Sequence, residues 1–302
     1  MLSSERLKGI EAFVATADAG SFTAAALRLH QSNSAVGKSV ARLEVRLKTQ
    51  LFERSTRRLK LTDAGGAFYR ICVRVLDDLE SAEQLLAAER LEPSGRLRVD
   101  LPATFGRLQV LPWLLAFCER HPGVQPHISF TDRFVDLVEE GIDVAVRIGG
   151  PDSWPSSLGH RFLGNERLIF CAAPGYLAQR GTPTTVAELA SHDAVAYGGV
   201  EGQAITWRIA QGAGPAERRS VQARVVVGQA EAQVAAVVAG FGIAQLATWL
   251  VDEALRDGRL VQILPDWATE GLPLRLVWPL SRQPLPKVTG LLTYLGDSLR
   301  IR

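Results

Sequence analysis

The sequence predicts an α/β body of two lobes, preceded by a winged helix-turn-helix unit and a long connecting helix. Three observations carry that prediction. Residues 1–50 hold three short helical patterns separated by small and polar residues, residues 63–90 form one proline-free helical run, and beyond Gly95 strand-like and helix-like segments alternate. With 302 residues and 47% hydrophobic content, the chain can bury more than one core.

At the N-terminus, Leu7, Ile10, Phe13, Val14 and Ala17 recur at three- and four-residue steps, which predicts an amphipathic helix over residues 5–18. Gly20 closes it, and Ser21 is the expected N-cap of an alanine-rich helix ending near Leu29. His30-Gln31-Ser32 makes a turn, with Ser32 capping a third helix to about Lys48. On that helix Val36, Val40, Leu43 and Leu47 keep to one stripe, so Ser34, Gly37, Lys38 and Ala41 face away, with Asn33 beside them.

That outward face suits a helix entering the major groove of DNA. Such a helix needs short donors and acceptors near its N-terminus, a cation for phosphate or guanine, and no bulk to hold its backbone off the base edges. An ordinary solvated face would carry Glu, Gln and Lys instead. Next comes LFERSTRRLKLT, residues 51–62, whose Arg54, Arg57, Arg58 and Lys60 beside Leu59 and Leu61 read as a two-stranded wing with cationic contacts to the phosphate backbone. Arg54 serves there either as a DNA contact or as a salt bridge supporting the wing. Charge distribution agrees: residues 1–60 hold 11 Lys plus Arg against 5 Asp plus Glu, while the rest holds 23 against 27.

Thr62-Asp63 can cap the long helix. Within it Phe68, Cys72, Val75, Leu79, Ala82 and Leu86 step by four and three, a heptad seam through which two copies can pair, the alternative being packing against the chain's own body. A dimer would set the spacing of two recognition helices and so of the half-sites in an approximately palindromic operator. Glu92-Pro93-Ser94-Gly95 ends the connector. The expected divisions are 1–62 for the winged unit, 63–91 for the dimerisation helix and 92–302 for the body.

Several dispersed motifs occur in one order: AFVATADAGSFTAAALRLHQSNSAV, ARLEVRLKTQLFERSTRRLKLTDAG, SGRLRVDLPATFGRLQVLP and AGFGIAQLATWLV. In these the chain resembles the LysR-type transcriptional regulators over essentially its whole length. The resemblance implies DNA contacts from Asn33, Ser34 and Lys38 and from the wing, antiparallel pairing of the long helix, and a homodimer that commonly joins into a homotetramer. Departures are Gly37 where the family usually has serine, Lys38 where it often has arginine, and Lys48 where a Leu-Gly pair is usual.

Strands in the body are expected at RLRVDL from Arg96, QPHISF from Gln125, DVAVRI from Asp143, RLIFCAA from Arg167, ARVVV from Ala223 and RLVW from Arg275, with residues 200–227 a locally antiparallel insertion. The second lobe is expected over 167–266, flanked by a first lobe of 92–166 and 267–302. This layout resembles periplasmic solute-binding proteins, as LysR-type effector domains do, and implies a small-molecule effector between the lobes. At Pro102-Ala103-Thr104-Phe105-Gly106 a strand gives way to a helix whose free amides favour an anion. Thr104, Phe105, Thr131 and Arg147 belong to that rim. Arg147 either grips a carboxylate with its planar fork or closes a salt bridge. On the second lobe Gln229 opens a helix toward the cleft, and Tyr197 and Trp207 supply either aromatic walls or core. A small carboxylate is the effector expected from the family.

Other function classes fit less well. The five histidines show no metal-ligand spacing, no Walker A or nucleophile-elbow motif occurs, and Gly240-Phe241-Gly242 lacks its third glycine because Gln245 stands there. Neither catalysis nor a cofactor or metal is therefore expected. The N-terminus lacks a secretion pattern and no long apolar run occurs, so the expected location is cytoplasmic, without membrane partners. This also weighs against a solute receptor without DNA activity. Three cysteines, Cys72, Cys118 and Cys171, fit buried free thiols, with redox sensing through Cys118 or Cys171 as the alternative.

Overall fold

In the computed structural model, residues 7, 9–53, 59–86, 92–198, 206–210 and 216–301 are described, and the chain divides into two units, Met1–Leu91 and Glu92–Arg302. The first holds α1 (Ile10–Ala19), α2 (Phe22–Arg28), α3 (Asn33–Leu47) and α4 (Asp63–Leu86). Hydroxyl caps start three of them: Ser21 accepts from the Ala24 amide, Ser32 from the Ala35 amide at 3.2 Å, and Thr62 from the Gly65 amide at 2.9 Å. Between α3 and α4 a short antiparallel hairpin is closed by the Phe52–Leu61 bridge, with the Glu53 amide donating to the Lys60 carbonyl.

Among the described residues the first helix begins at Ile10, after Gly9 in a left-handed conformation (φ 85°); residues 5, 6 and 8 of the expected helix lie outside them. Phe13 is the centre of this unit's core and stacks within 5.4 Å of Phe52 and 5.7 Å of Phe68. Glu44 on α3 accepts from the Leu51 and Phe52 amides, which ties the hairpin to that helix. At the start of α4, a β-carbon on Gly65 would stand 2.0 Å from the Leu51 carbonyl oxygen, so only glycine lets helix and hairpin approach this closely.

Within the second unit the order is β1 (Gly95–Leu101), α5 (Ala103–Phe105), α6 (Leu111–Arg120), β2 (Val124–Phe130), β3 (Val144–Ile148), β4 (Leu158–Ala172), α7 (Pro174–Arg180), β5 (Ala194–Tyr197), β6 (Thr206–Ile209), β7 (Glu217–Ser220), β8 (Ala223–Val227), α8 (Ala230–Val238), β9 (Ala244–Ala247), α9 (Thr248–Arg256), β10 (Val261–Ile263), β11 (Thr269–Pro279) and α10 (Pro286–Ser298). The main sheet runs β10-β4-β11-β3-β1-β2, with β9 also on β4; β1 is parallel to β2 and β3, whereas β11 is antiparallel to its neighbours. A π-helical turn, Gly106–Val110, joins α5 to α6, and Gly106 lies so close to Leu101 that a β-carbon there would meet the Leu101 side chain at 2.4 Å.

Two main cores result, beside a small cluster of Leu137, Ile142, Ala145 and Val277. Leu97, Phe105, Phe117, Val146, Leu276 and Leu291 belong to one, and Phe170, Val195, Trp207, Val237, Ile243 and Val251 to the other. The fourth strand begins at Leu158, well before the expected Arg167, because its first half pairs with β11 and only its last residues pair with β9 and β10. The expected antiparallel insertion is the β6–β7 pair.

Lys48, the C-cap of α3, is held left-handed at φ 53°, a conformation that disfavours any side chain with a β-carbon. Lys48→Gly should therefore stabilise the end of α3 by about 1 kcal/mol. The expected result is roughly fivefold slower amide exchange over residues 43–47 in the full chain.

Candidate DNA interface and effector cleft

The third helix presents what its spacing implies. Val36, Val40 and Leu43 are buried against the bundle, whereas Asn33, Ser34, Lys38 and Ala41 are exposed and Gly37 is half-buried. Val45 continues the outer face at 77% exposure, flanked by the equally outward Arg42 and Arg46. The Asn33 amide reaches Thr23 on α2 at 3.3 Å, which orients it at the head of the helix. A β-carbon on Gly37 would meet nothing within 4 Å, so the missing hydroxyl there leaves open space rather than relieving a clash. Arg54, Arg57 and Arg58 lie outside the described residues.

On α4 the seam divides. Phe68 packs on Phe13, and Cys72 is 1% exposed in the same core, so these two positions serve the chain's own bundle rather than a partner. Their burial follows from α4 crossing α1 over its first turns, which fills the seam before any second chain arrives. Val75 is half-buried, while Leu79 (43% exposed) and Ala82 face outward, as does Ile71 (49%) one turn before Val75. The unpartnered apolar stripe is thus Ile71, Val75, Leu79 and Ala82. The Leu86 side chain lies outside the described residues.

In the body, a cavity of about 490 Å³ lies between the two cores. Thr104, Phe105, Thr131, Arg147, Tyr197 and Trp207 all line it. Trp207 is at once wall and core, with its ring 5.2 Å from Phe170. Gln229 is exposed and does not line the cavity; Gln233, one turn further along α8, does, with its amide donating to the Val195 carbonyl at 3.1 Å. Phe105 and Trp249 meet edge-on at 5.0 Å. At the rim Arg107 pairs with Glu231 of α8.

The anion-binding features expected of the first lobe already hold partners from the chain itself. Arg147 is 4% exposed, and its Nη1 lies 2.6 Å from an Asp100 carboxylate that is itself 1% exposed and also accepts from the Ser129 hydroxyl. The Ala103 amide, which heads α5, donates to Asp132 at 2.9 Å. Arg147 keeps one unpaired group, Nη2, among the described residues. Glu166 is buried beneath the cavity, accepting from Trp249 Nε1 at 2.8 Å and the Leu272 amide. Burial raises its pKa above the ordinary glutamate value, against the opposing pull of the Trp249 hydrogen bond, the Leu272 amide and the Arg208 charge. Tyr197 is likewise raised, by burial and by Asp132 across the cleft.

Sequence reasoning missed Asp100, Asp132, Glu166, Arg208, Arg218, Gln245 and Trp249. Trp249 and Gln245 stood in the motif AGFGIAQLATWLV, but nothing in the spacing aimed them at a cavity. Burial pushes Cys171 up to about 12 and Cys72 to about 11, and also raises the half-buried Cys118, which keeps thiolate scarce near neutral pH.

Residues 7–66 match the family model of the bacterial regulatory helix-turn-helix protein, lysR family, and residues 90–300 match that of the LysR substrate binding domain. An HTH-type transcriptional regulator of Haemophilus influenzae is 33% identical, with 95% of this chain and 98% of that protein covered. The transcriptional activator AaeR of Escherichia coli is 32% identical over 97% of this chain and 94% of its own. Among solved structures, CrgA of Neisseria meningitidis, a LysR-type transcriptional regulator, is 28% identical with TM-score 0.60, covering 98% of this chain and 99% of that one. The Vibrio cholerae virulence activator AphB is 26% identical with TM-score 0.61, covering 96% and 98%.

The Asp100–Arg147 pair yields a direct test. Arg147→Ala leaves a buried carboxylate without its counter-charge, which should cost about 3–5 kcal/mol. Urea unfolding followed by tryptophan fluorescence should show that loss, and an unchanged midpoint would mean that the pair is not buried as described.

Proposed function

This chain belongs to the LysR family of transcriptional regulators, with a helix-turn-helix DNA-binding domain and an effector-binding domain, and from that premise we propose how its residues divide the work. Asn33, Ser34 and Lys38 read base edges or phosphates from the N-terminal half of α3, and Arg54, Arg57 and Arg58 add wing contacts to the backbone. The observation that carries this reading is the outward face of α3, small and cationic where an idle helix surface would be long and polar.

Two copies pair along Ile71, Val75, Leu79 and Ala82 of α4, and the dimer reads an approximately palindromic operator in double-stranded DNA, with tetramers forming from dimers. An effector held between a first lobe of 92–166 with 267–302 and a second lobe of 167–266 shifts the balance between two arrangements of the assembly by binding one more tightly. Such a regulator works in the cytoplasm beside its DNA, and among the described residues no helix is long and apolar enough to cross a membrane.

Lys38→Ala should lower the affinity for an operator selected from a random-sequence pool by about tenfold and flatten the salt dependence by about one ion, since one cationic contact is lost. Fluorescence anisotropy across a salt series reads both, and an identical series for the two proteins would remove Lys38 from the interface. Leu79→Asp should put a charge on the apolar stripe and yield monomers at micromolar concentration in sedimentation velocity. A dimer of unchanged mass would place the pairing elsewhere.

A further inference from the structure

The outward face of α3 does not end at Lys38. Ser34, Lys38, Ala41 and Val45 step by four, three and four, and all four are exposed, so they form one row along the helix opposite the buried Val36, Val40 and Leu43. Val45 stands nine residues after Val36, about two and a half turns, and so points directly away from the core. At 77% exposure it is the one large apolar side chain exposed on this helix. A β-branched residue does little for the fold at such a place, because the helix restricts its rotamers and it covers no core.

A lone exposed apolar residue is ordinary on a protein surface and carries no meaning by itself. The surroundings of Val45 are what give it one. Lys38, Ala41, Arg42, Val45 and Arg46 line a shallow depression on this face, so three cations surround the methyl groups of Ala41 and Val45, which lie one helical turn apart. Residues 1–60 hold 11 Lys plus Arg against 5 Asp plus Glu, which favours a polyanion over an apolar protein as the occupant. Duplex DNA offers the matching pattern. Its phosphates line the groove walls, and the thymine C5-methyl group is the apolar feature that an A·T pair presents on the major-groove floor.

Building on the placement of α3 in the major groove, we propose that Val45, backed by Ala41, reads a thymine methyl group in each half-site. Arg42 and Lys38 meet phosphates on either side of it. Ser34 and Val45 are about 16 Å apart along the helix axis, which exceeds the major-groove width of roughly 12 Å. The helix therefore lies along the groove rather than across it, and the thymine met by Val45 stands at the opposite end of the half-site from the base pair met by Ser34.

Fluorescence anisotropy of the full chain on an operator recovered from a random-sequence pool tests this, with each thymine of one half-site replaced in turn by uracil, which lacks only the methyl group. At one thymine the replacement should weaken binding roughly fourfold, the effect of leaving one methyl group uncovered. Val45→Ser should bind the thymine and uracil forms of that site equally, whereas a merely structural valine would weaken both forms and keep the difference between them. Lys38→Ala should bind both forms more weakly and keep the discrimination. Indifference to uracil at every position, a half-site without thymine, or a discrimination that survives Val45→Ser would overturn the assignment and leave α3 as the reading helix. Recovery of no operator at all would overturn both.

Discussion

The body depends on the antiparallel pairing of β4 with β11. Strand β4 pairs with β11 from Leu158 to Leu168 and then, over its last residues, with β9 and β10, so a single strand runs from one core to the other. Each lobe buries its own apolar cluster, and α9 bridges them: Val251 and Ala254 belong to the second, while Trp249 packs against the first. A cavity between the two cores is the geometric consequence, and its walls are joined by the β4–β11 backbone pairing, the Phe105–Trp249 contact and the Arg107–Glu231 ion pair.

Within this frame, electrostatics decides what the cavity can hold. Burying an arginine is tolerable when a carboxylate shares its site, and Asp100 does that for Arg147 at the ends of β1 and β3. The same arrangement stops Arg147 from acting as a bare cation. On the second lobe the short β6–β7 pair places Arg208 opposite Arg218, and the Arg208 charge acts on the buried Glu166 carboxylate. The DNA-binding unit follows a similar logic on a smaller scale: Val36, Val40 and Leu43 anchor α3, which frees Ser34, Lys38 and Ala41 to face outward.

Much of this was legible in the sequence where local chemistry governs. Ser21, Ser32 and Thr62 cap helices where their hydroxyls announce it, and the three- and four-residue spacing of Val36, Val40 and Leu43 orients α3 correctly. The cleft was legible residue by residue for Thr104, Phe105, Thr131, Arg147, Tyr197 and Trp207, since strand ends converge there. What escaped were long-range pairings. Asp100 reads as an ordinary strand residue until the fold brings Arg147 beside it, and Arg208 and Arg218 become neighbours only through a hairpin register that no periodicity encodes. The seam on α4 divides for a related reason: Phe68 and Cys72 fit a heptad, but Phe13 claims that face first.

The central claim is that this chain reads a specific DNA sequence as a symmetric pair through α3. Sequencing of random-pool DNA retained by the full chain tests it most directly. The account predicts enrichment of two inverted half-sites, their centres separated by about one helical turn or a multiple of it. Retained DNA with no enriched sequence, or a single half-site without its mirror, would contradict it.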